Sequence, residues 1–320
     1  MPATSRPKAT AADTLSTHPI FSSRKIVVLL ATLCCLLWGS SYPAIKNGFA
    51  LFAIEPSDFS GKLLFAGWRC LLAGLVLLLI AVCSGKKIFA LSVKSLLEIS
   101  LLGLLETSSM FILLYLGLAY TTGVKGSLVL NGTAPFFSVL LAHFIYRDDR
   151  LSRGKSLGCA LGFASVLAVN FNQELLGFSF RLVGEGSVIL SAFFFAVGMI
   201  YGKRVSRQMD PSLMTGYQLM IGGSVLLLVG YALGGGLPES SLESSLILAY
   251  LVLSTSTSYA LWAVLLKYNR VGRVSIFNFL VPVFGTLLSA VFLDETFLEW
   301  KNLAALTLVC SGIWLVNKGK

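Results

Sequence analysis

The sequence predicts an all-α integral membrane protein with ten transmembrane helices, built as two inverted five-helix repeats with both termini in the cytoplasm. Three observations predict this fold class: the composition, the spacing of the apolar runs and the placement of the basic residues. Of the 320 residues, 56% are hydrophobic and only 12% are charged. Soluble domains average about a quarter charged residues, so this deficit excludes an ordinary soluble domain.

Apolar runs long enough to cross a bilayer recur along the chain from residue 26 onward. A hydrocarbon core of ~30 Å needs about 20 apolar residues at a rise of 1.5 Å per residue. The predicted spans cover residues 26–47, 63–83, 96–119, 124–146, 155–171, 185–202, 213–233, 245–267, 273–293 and 300–317. Residues 1–25 are rich in Ser, Thr, Ala and Pro, which predicts a disordered cytoplasmic tail.

The basic residues set the predicted orientation. With a cytoplasmic N-terminus, 19 of the 25 Lys and Arg residues fall in cytoplasmic segments and five in external ones. The positive-inside rule then places both termini in the cytoplasm, which requires an even number of spans. This distribution also accounts for the net charge of +10. We therefore predict membrane lipid, and no nucleic acid, as a partner.

The two halves of the chain, residues 26–171 and 185–317, resemble each other. A shift of 147 residues aligns Pro135 with Pro282, Asp148 with Glu295, Leu151 with Leu298 and Asn170 with Asn317. Because each half has an odd number of predicted spans, the second half enters the membrane upside down, as in many secondary transporters. Two such halves can exchange conformations and open one central site to either side.

Three ordered motifs carry a family resemblance. They are Trp38-Gly39-Ser40 leading to Lys46, the prolines Pro135 and Pro282 in spans four and nine, and the acidic pairs Asp148-Asp149 and Asp294-Glu295 that follow those spans. On these motifs residues 26–317 resemble the EamA-type family of the drug/metabolite transporter superfamily. That family usually shows Gly-Glu at the acidic pairs, so the turns here are expected to differ. The resemblance implies a metabolite exporter or exchanger and no single substrate.

Glu106 is the first candidate for a functional residue. It lies ten residues inside the third predicted span, ~15 Å deep. A charged side chain at that depth costs at least ~2.5 kcal/mol, so it must face a cavity, pair with a cation or be protonated. The functional interpretation is proton coupling or binding of a substrate amine. The alternative is a structural partner for another polar group.

Arg69 lies inside the second predicted span, ~9 Å from its outer end. Its long side chain is expected to snorkel to the outer interface. A second hypothesis, based on depth alone, pairs Arg69 with Glu106.

Polar and aromatic side chains in the spans predict a central substrate cavity, because they can hydrogen-bond a polar substrate and stack on its flat parts. The remaining candidates are Trp38, Ser41, Tyr42, Ser109, Asn131, Tyr201, Tyr217, Gln218, Tyr259, Trp262 and Asn278. The alternatives are serines that bond their own helix and aromatic residues of the interfacial belts. Pro43, Pro135 and Pro282 are candidate helix kinks, and matched breaks in two halves point to a binding site.

Other chemistries find little support in the sequence. No CxxC pair occurs and the histidines are His18 and His143, so we predict no metal site, no cofactor and no enzymatic activity. The sequence therefore predicts a secondary transporter of the bacterial inner membrane that exports a small polar metabolite of the amino-acid or nucleobase class, with protons as a further partner. The alternatives are a facilitative exchanger without proton coupling and an integral-membrane enzyme acting on lipid intermediates.

Overall fold

The computed structural model describes residues 20–121, 123–169, 181–236, 241–292 and 300–318. Within these ranges the chain is helical and contains no β-strand. The helices are α1 Arg24–Leu51, α2 Phe59–Cys83, α3 Val93–Tyr120, α4 Gly123–Ile145, α5 Arg153–Val169, α6 Leu182–Ser206, α7 Pro211–Ala232, α8 Leu242–Tyr268, α9 (Val271–Ser275, then Ile276–Phe279 as a 3-10 turn, then Leu280–Phe292) and α10 Trp300–Lys318.

Seven helices in the described part of the chain are long and apolar enough to cross a membrane. They are α1, α2, α3, α6, α7, α8 and the Val271–Ser289 part of α9. Helices α4 and α10 contain shorter apolar stretches, Val129–Ile145 and Leu303–Lys318. The predicted all-helical, multi-pass membrane protein is confirmed, whereas the count of ten spans stays a prediction.

The start of α7 is fixed by Asp210. Its Oδ1 accepts the N–H of Leu213 at 3.1 Å, and its Oδ2 pairs with Lys86 at 2.8 Å. Partial burial opposes ionisation of Asp210, but the Lys86 ammonium and the helix N–H groups outweigh it and hold the pKa below its ordinary value. This contact therefore stabilises the protein above the ordinary pKa of an aspartate, and its contribution is lost as pH falls through the lowered pKa.

The helices pack in a pattern that repeats between the two halves. Helix α2 packs along α7, and α5 packs along α10. Helix α1 lies against α8 and α9, and in the same way α6 lies against α3 and α4. Each of these contacts thus has an equivalent made by the corresponding helices of the other half.

Glycines bring α2 and α7 into direct backbone contact. A Cβ at Gly74 would lie 2.5 Å from the carbonyl oxygen of Gly216, and a Cβ at Gly223 would lie 2.8 Å from the carbonyl oxygen of Gly67. Because lipid supplies no hydrophobic drive between helices, association in a membrane depends on such close packing of small residues. The two glycine pairs therefore let the backbones of α2 and α7 come into close contact.

The acidic loop after α4 ties three helices together. Asp149 is only 1% exposed. Its Oδ1 pairs with the ammonium of Lys155 on α5 at 2.5 Å, and its Oδ2 accepts the N–H of Gly272 in the first turn of α9 at 2.8 Å. A carboxylate at a helix N-terminus is favoured by the exposed N–H groups there. The second acidic pair of the sequence analysis, Asp294-Glu295, lies outside the described residues.

We expect Asp149→Asn to destabilise the protein, because it leaves the Lys155 ammonium enclosed without its counter-charge. Removing one partner of a buried ion pair costs about 3–5 kcal/mol. The measurement is thermal unfolding of the detergent-purified protein, with Asp148→Asn as the matched control. Equal melting temperatures for the two variants would show that the Asp149 contacts contribute little.

Candidate functional site

Glu106 lies in the middle of α3, where the helix passes through π-type turns over Gly103–Ser109. Its side chain is only 7% exposed, so protein and not lipid surrounds the carboxyl group. Short π-type stretches inside α-helices are rare and are frequently found at functional sites. The π-type turns of the backbone and the buried acid therefore occur at the same place in the bundle.

Gln218 on α7 holds the Glu106 carboxyl. Its Nε2 donates to Oε2 of Glu106 at 3.1 Å. Two glycines of α6 pack against Glu106. A Cβ at Gly198 would lie 2.5 Å from the Cβ of Glu106, and a Cβ at Gly202 would lie 3.7 Å from its Oε2. A carboxyl oxygen can accept this bond whether or not the group is ionised. The site is thus built to hold Glu106 in either protonation state.

A small enclosed cavity lies beside Glu106. Its volume is about 20 Å³, enough for one or two water molecules. Side chains from α3, α6, α7 and α8 line it: Glu106, Met199, Gly202, Met214, Thr215, Gln218, Tyr259, Trp262, Ala263 and Leu266. Of the residues that the sequence analysis selected, Glu106, Gln218, Tyr259 and Trp262 therefore meet at one cavity.

An aromatic cluster adjoins this cavity. The ring of Trp38 on α1 meets the rings of Trp262, Tyr259 and Phe195 edge-on, with centroid distances of 4.8, 5.8 and 6.4 Å. Trp262 also donates its indole N–H to the sulfur of Met199 at 3.2 Å. The structure brings together three aromatic candidates from two distant segments of the sequence. Phe195 was missed, because a phenylalanine in an apolar span carries no polar signal.

Arg69 is enclosed by protein and does not follow either sequence-based expectation. It is 4% exposed, and its guanidinium carbon lies 5.1 Å from the centroid of the Phe111 ring. The snorkelling prediction is wrong because the side chain turns into the bundle. Among the described residues no ion pair within 4 Å joins Arg69 to Glu106, so the hypothesised direct pair does not form. Its Nε is buried and finds no acceptor in the described part of the chain.

Asn131 and Asn278 occupy equivalent places in the two halves but have different surroundings. The Nδ2 of Asn131 donates to the hydroxyl of Tyr42 at 2.8 Å and to the carbonyl of Ser127 at 2.9 Å. This links α4 to α1. Asn278 in α9 is 5% exposed, and neither polar atom of its amide has a partner in the described structure. Within the described ranges, the first asparagine but not the second has a structural partner that accounts for its polarity.

The three candidate kink residues all lie inside helices. Helix α9 changes type just before Pro282, where Ile276–Phe279 forms a 3-10 turn. Helices α1 and α4 remain α-helical across Pro43 and Pro135. The expected matched breaks at Pro135 and Pro282 are therefore not both present. A spanning helix tolerates the lost hydrogen bond when neighbouring groups satisfy the freed carbonyl.

Four further candidates do not line the cavity. The hydroxyl of Ser41 donates to a carbonyl of its own helix at 2.9 Å, which was the alternative interpretation for the serines. The hydroxyl of Tyr217 donates to a backbone carbonyl between α2 and α3 at 2.9 Å. Tyr201 packs into an apolar cluster, and Ser109 is half-buried at the end of the π-type turns. Their roles as substrate contacts stay predictions.

The described residues contain no group of three or more His, Cys, Asp or Glu side chains that could hold a metal ion. The chemistry of the site therefore lies in the carboxyl group of Glu106, the carboxamide of Gln218 and the aromatic rings beside them. These groups can bind a polar ligand and exchange a proton.

A bundle of membrane-crossing helices around an enclosed polar site is the architecture of a membrane transport protein. The model of the EamA-like transporter family matches the chain twice, over residues 25–171 and 182–318. The chain belongs to the EamA-like transporter family. It is a multi-pass membrane transporter, as the sequence resemblance implied.

Individual relatives and a solved structure are similar to this chain over most of its length. The chain is 28% identical to a probable amino-acid metabolite efflux pump of Salmonella typhimurium, covering 89% of this chain and 93% of the relative. It is 27% identical to a WAT1-related chloroplastic protein of Arabidopsis thaliana, over 88% of this chain and 66% of that longer relative. A crystal structure of a protein with 17% identity superposes with a TM-score of 0.76 over 92% of this chain and 96% of the other, which shows a shared fold.

Proposed function

We propose that this protein is a secondary transporter that exports a small polar metabolite of the amino-acid or nucleobase class, in exchange for protons, from a site centred on Glu106. The observation that carries the proposal is the buried carboxyl group of Glu106. Glu106 lies in the π-type turns of α3 beside a cavity, and its carboxyl group accepts a hydrogen bond from Gln218 on α7. Ionisable groups inside membrane helices are costly, and they mark ion and substrate pathways. The efflux pump of Salmonella typhimurium supports the amino-acid class.

The proposed architecture is ten spanning helices in two inverted repeats, residues 26–171 and 185–317, with both termini in the cytoplasm of a bacterial cell. The helix contacts support the repeat. A shift of 149 residues aligns Gly67 with Gly216 and Gly74 with Gly223. The repeat therefore relates the contact of Gly74 with Gly216 to the contact of Gly223 with Gly67. Both are close backbone contacts of α2 with α7. Such a two-fold relation supports alternating access around a central site.

In the proposed cycle the proton and the substrate bind Glu106 in turn. A protonated carboxyl offers no negative charge to a substrate, so binding of substrate favours the ionised form and releases the proton. Gln218 and the aromatic rings around Trp38 hold the remaining parts of the substrate. Proton entry from the other side then returns the site to its starting state. Neither ligand crosses alone, which couples export to the proton gradient.

The experiment that tests this proposal uses liposomes that contain the purified protein and a trapped pH-sensitive dye. Amino acids, purines and pyrimidines are added one at a time, and protein-free liposomes serve as the control. We expect at least one compound to cross and to drive protons in the opposite direction. A screen in which no compound crosses would contradict the transporter proposal. Movement of a compound without protons would instead support a facilitative exchanger.

A further inference from the structure

We infer that Arg69 and Glu106 together recognise a dipolar substrate, with Arg69 binding its anionic group and Glu106 its cationic group. The ligand is then a zwitterion such as an α-amino acid. This inference rests on the proposed function and selects between its two substrate classes. Amino acids carry both charges at neutral pH, whereas the common nucleobases are neutral.

Arg69 is a buried charge that has no counter-ion among the residues the structure describes. Among the described residues it forms no ion pair, and its contacts are the ring of Phe111 and the thiol of Cys70. Buried charges in proteins are normally paired, because the cost of removing them from water is high. A ligand carboxylate would supply the missing charge, and its two oxygens match the planar fork of a guanidinium group.

Glu106 is the complementary case. Its hydrogen-bond donor is the neutral amide of Gln218, which reaches one oxygen, Oε2. In the part of the chain that the structure describes, no Lys or Arg side chain lies within 4 Å of the carboxyl. The glycines at positions 198 and 202 of α6 let the backbone of that helix pack directly against the acid. The acid is therefore enclosed, held in place and able to accept a ligand ammonium group.

Tyr259 lies between the surroundings of Glu106 and those of Arg69. It lines the cavity beside Glu106, and it packs against the apolar cluster that contains Phe111 and Cys70, the two residues that Arg69 contacts. Its ring packs edge-on against Trp38 at 5.8 Å. The two opposite charges are enclosed near the same side chain and are not paired with each other. Together they form a site for a ligand that carries both charges. The aromatic cluster offers an apolar surface for the rest of that ligand.

The test compares three matched forms of each ligand on the wild-type protein: leucine, phenylalanine and tryptophan, their methyl esters, and the corresponding acids that lack the amino group. Competition with transport of the parent amino acid in liposomes measures their affinity. Each free amino acid should bind about 10- to 100-fold more tightly than either singly charged form. Loss of one hydrogen bond to a charged group lowers the affinity by about that factor.

Two variants assign the charges to the residues. Arg69→Gln should weaken binding of the free amino acid and leave binding of its ester unchanged. Glu106→Gln should weaken binding of the free amino acid and leave binding of the acid without an amino group unchanged. Glu243→Gln, at an exposed position in the first turn of α8, is the control and should change nothing. If Arg69→Gln fails to fold, the comparison of the three ligand forms on the wild-type protein tests the inference by itself.

The outcomes separate this inference from the proposed function. If an ester or a deaminated acid binds as tightly as its parent amino acid, the dipolar site is wrong while the transporter stands. The same holds if nucleobases cross the membrane and amino acids neither cross nor compete. If no compound crosses at all, the proposed function fails and the dipolar site fails with it.

Discussion

Replacing Glu106 with glutamine is expected to stop substrate-driven proton movement in the reconstituted protein while the protein stays folded. Glutamine has nearly the same shape, and its carbonyl oxygen can still accept the Nε2–H of Gln218, a bond that measures 3.1 Å in the structure. The variant loses only the ability to bind and release a proton and to offer a negative charge. We expect at least a tenfold fall in proton flux, which corresponds to about 1.4 kcal/mol.

The measurement is the dye signal in liposomes that contain equal amounts of each protein, with size-exclusion chromatography as the check on folding. Glu243→Gln removes a carboxylate from an exposed helix end and is expected to match the wild type. Wild-type proton flux in Glu106→Gln would contradict a coupling role for this acid. Substrate movement without proton movement in the wild type would assign Glu106 a binding role alone.

Replacing Gly74 with leucine is expected to cause a large loss of stability. A Cβ at this position would lie 2.5 Å from the carbonyl oxygen of Gly216 and 2.6 Å from the backbone nitrogen of Met220. These are backbone atoms of a helix and cannot move aside as a side chain can. Overpacking a well-packed core costs about 1–3 kcal/mol and occasionally more, and we expect the upper end because α2 and α7 must separate.

Thermal unfolding in detergent and the monodisperse fraction after purification measure this loss. Gly236→Leu is the matched control, because a Cβ at Gly236 meets no atom within 4 Å. We expect this control to melt with the wild type. If Gly74→Leu also melts with the wild type, the close contact of α2 with α7 does not hold the bundle together.

Most of the fold could be predicted from the sequence because the bilayer imposes the length of a helix. Apolar runs of about 20 residues must be helical in lipid, since every backbone group needs an internal partner. The boundaries were less accurate. Helix α1 continues to Leu51, and α2 begins at Phe59, beyond the predicted limits of 47 and 63. Apolar content sets the crossing region, while capping and packing set where each helix ends.

The candidate site was only partly predictable. Polarity within apolar spans selected Glu106 and Gln218, but the packing of α3 on α7 decides that they bond to each other. Depth gave a wrong orientation for Arg69, because distance along a helix says nothing about which way a side chain turns. The π-type turns of α3 have no counterpart in the hydrophobic pattern. Gly198, which makes room for the acid, appears in the sequence only as a small residue.

The central claim is that one carboxyl group, Glu106, serves both the proton and the substrate. The most direct measurement is proton release when the transported amino acid is added to the purified protein in weakly buffered detergent solution, over a series of pH values. We expect the release to approach about one proton per bound ligand in the wild type at its maximum and to be absent in Glu106→Gln. Ligand binding without proton release in the wild type, or equal release in both proteins, would contradict the claim.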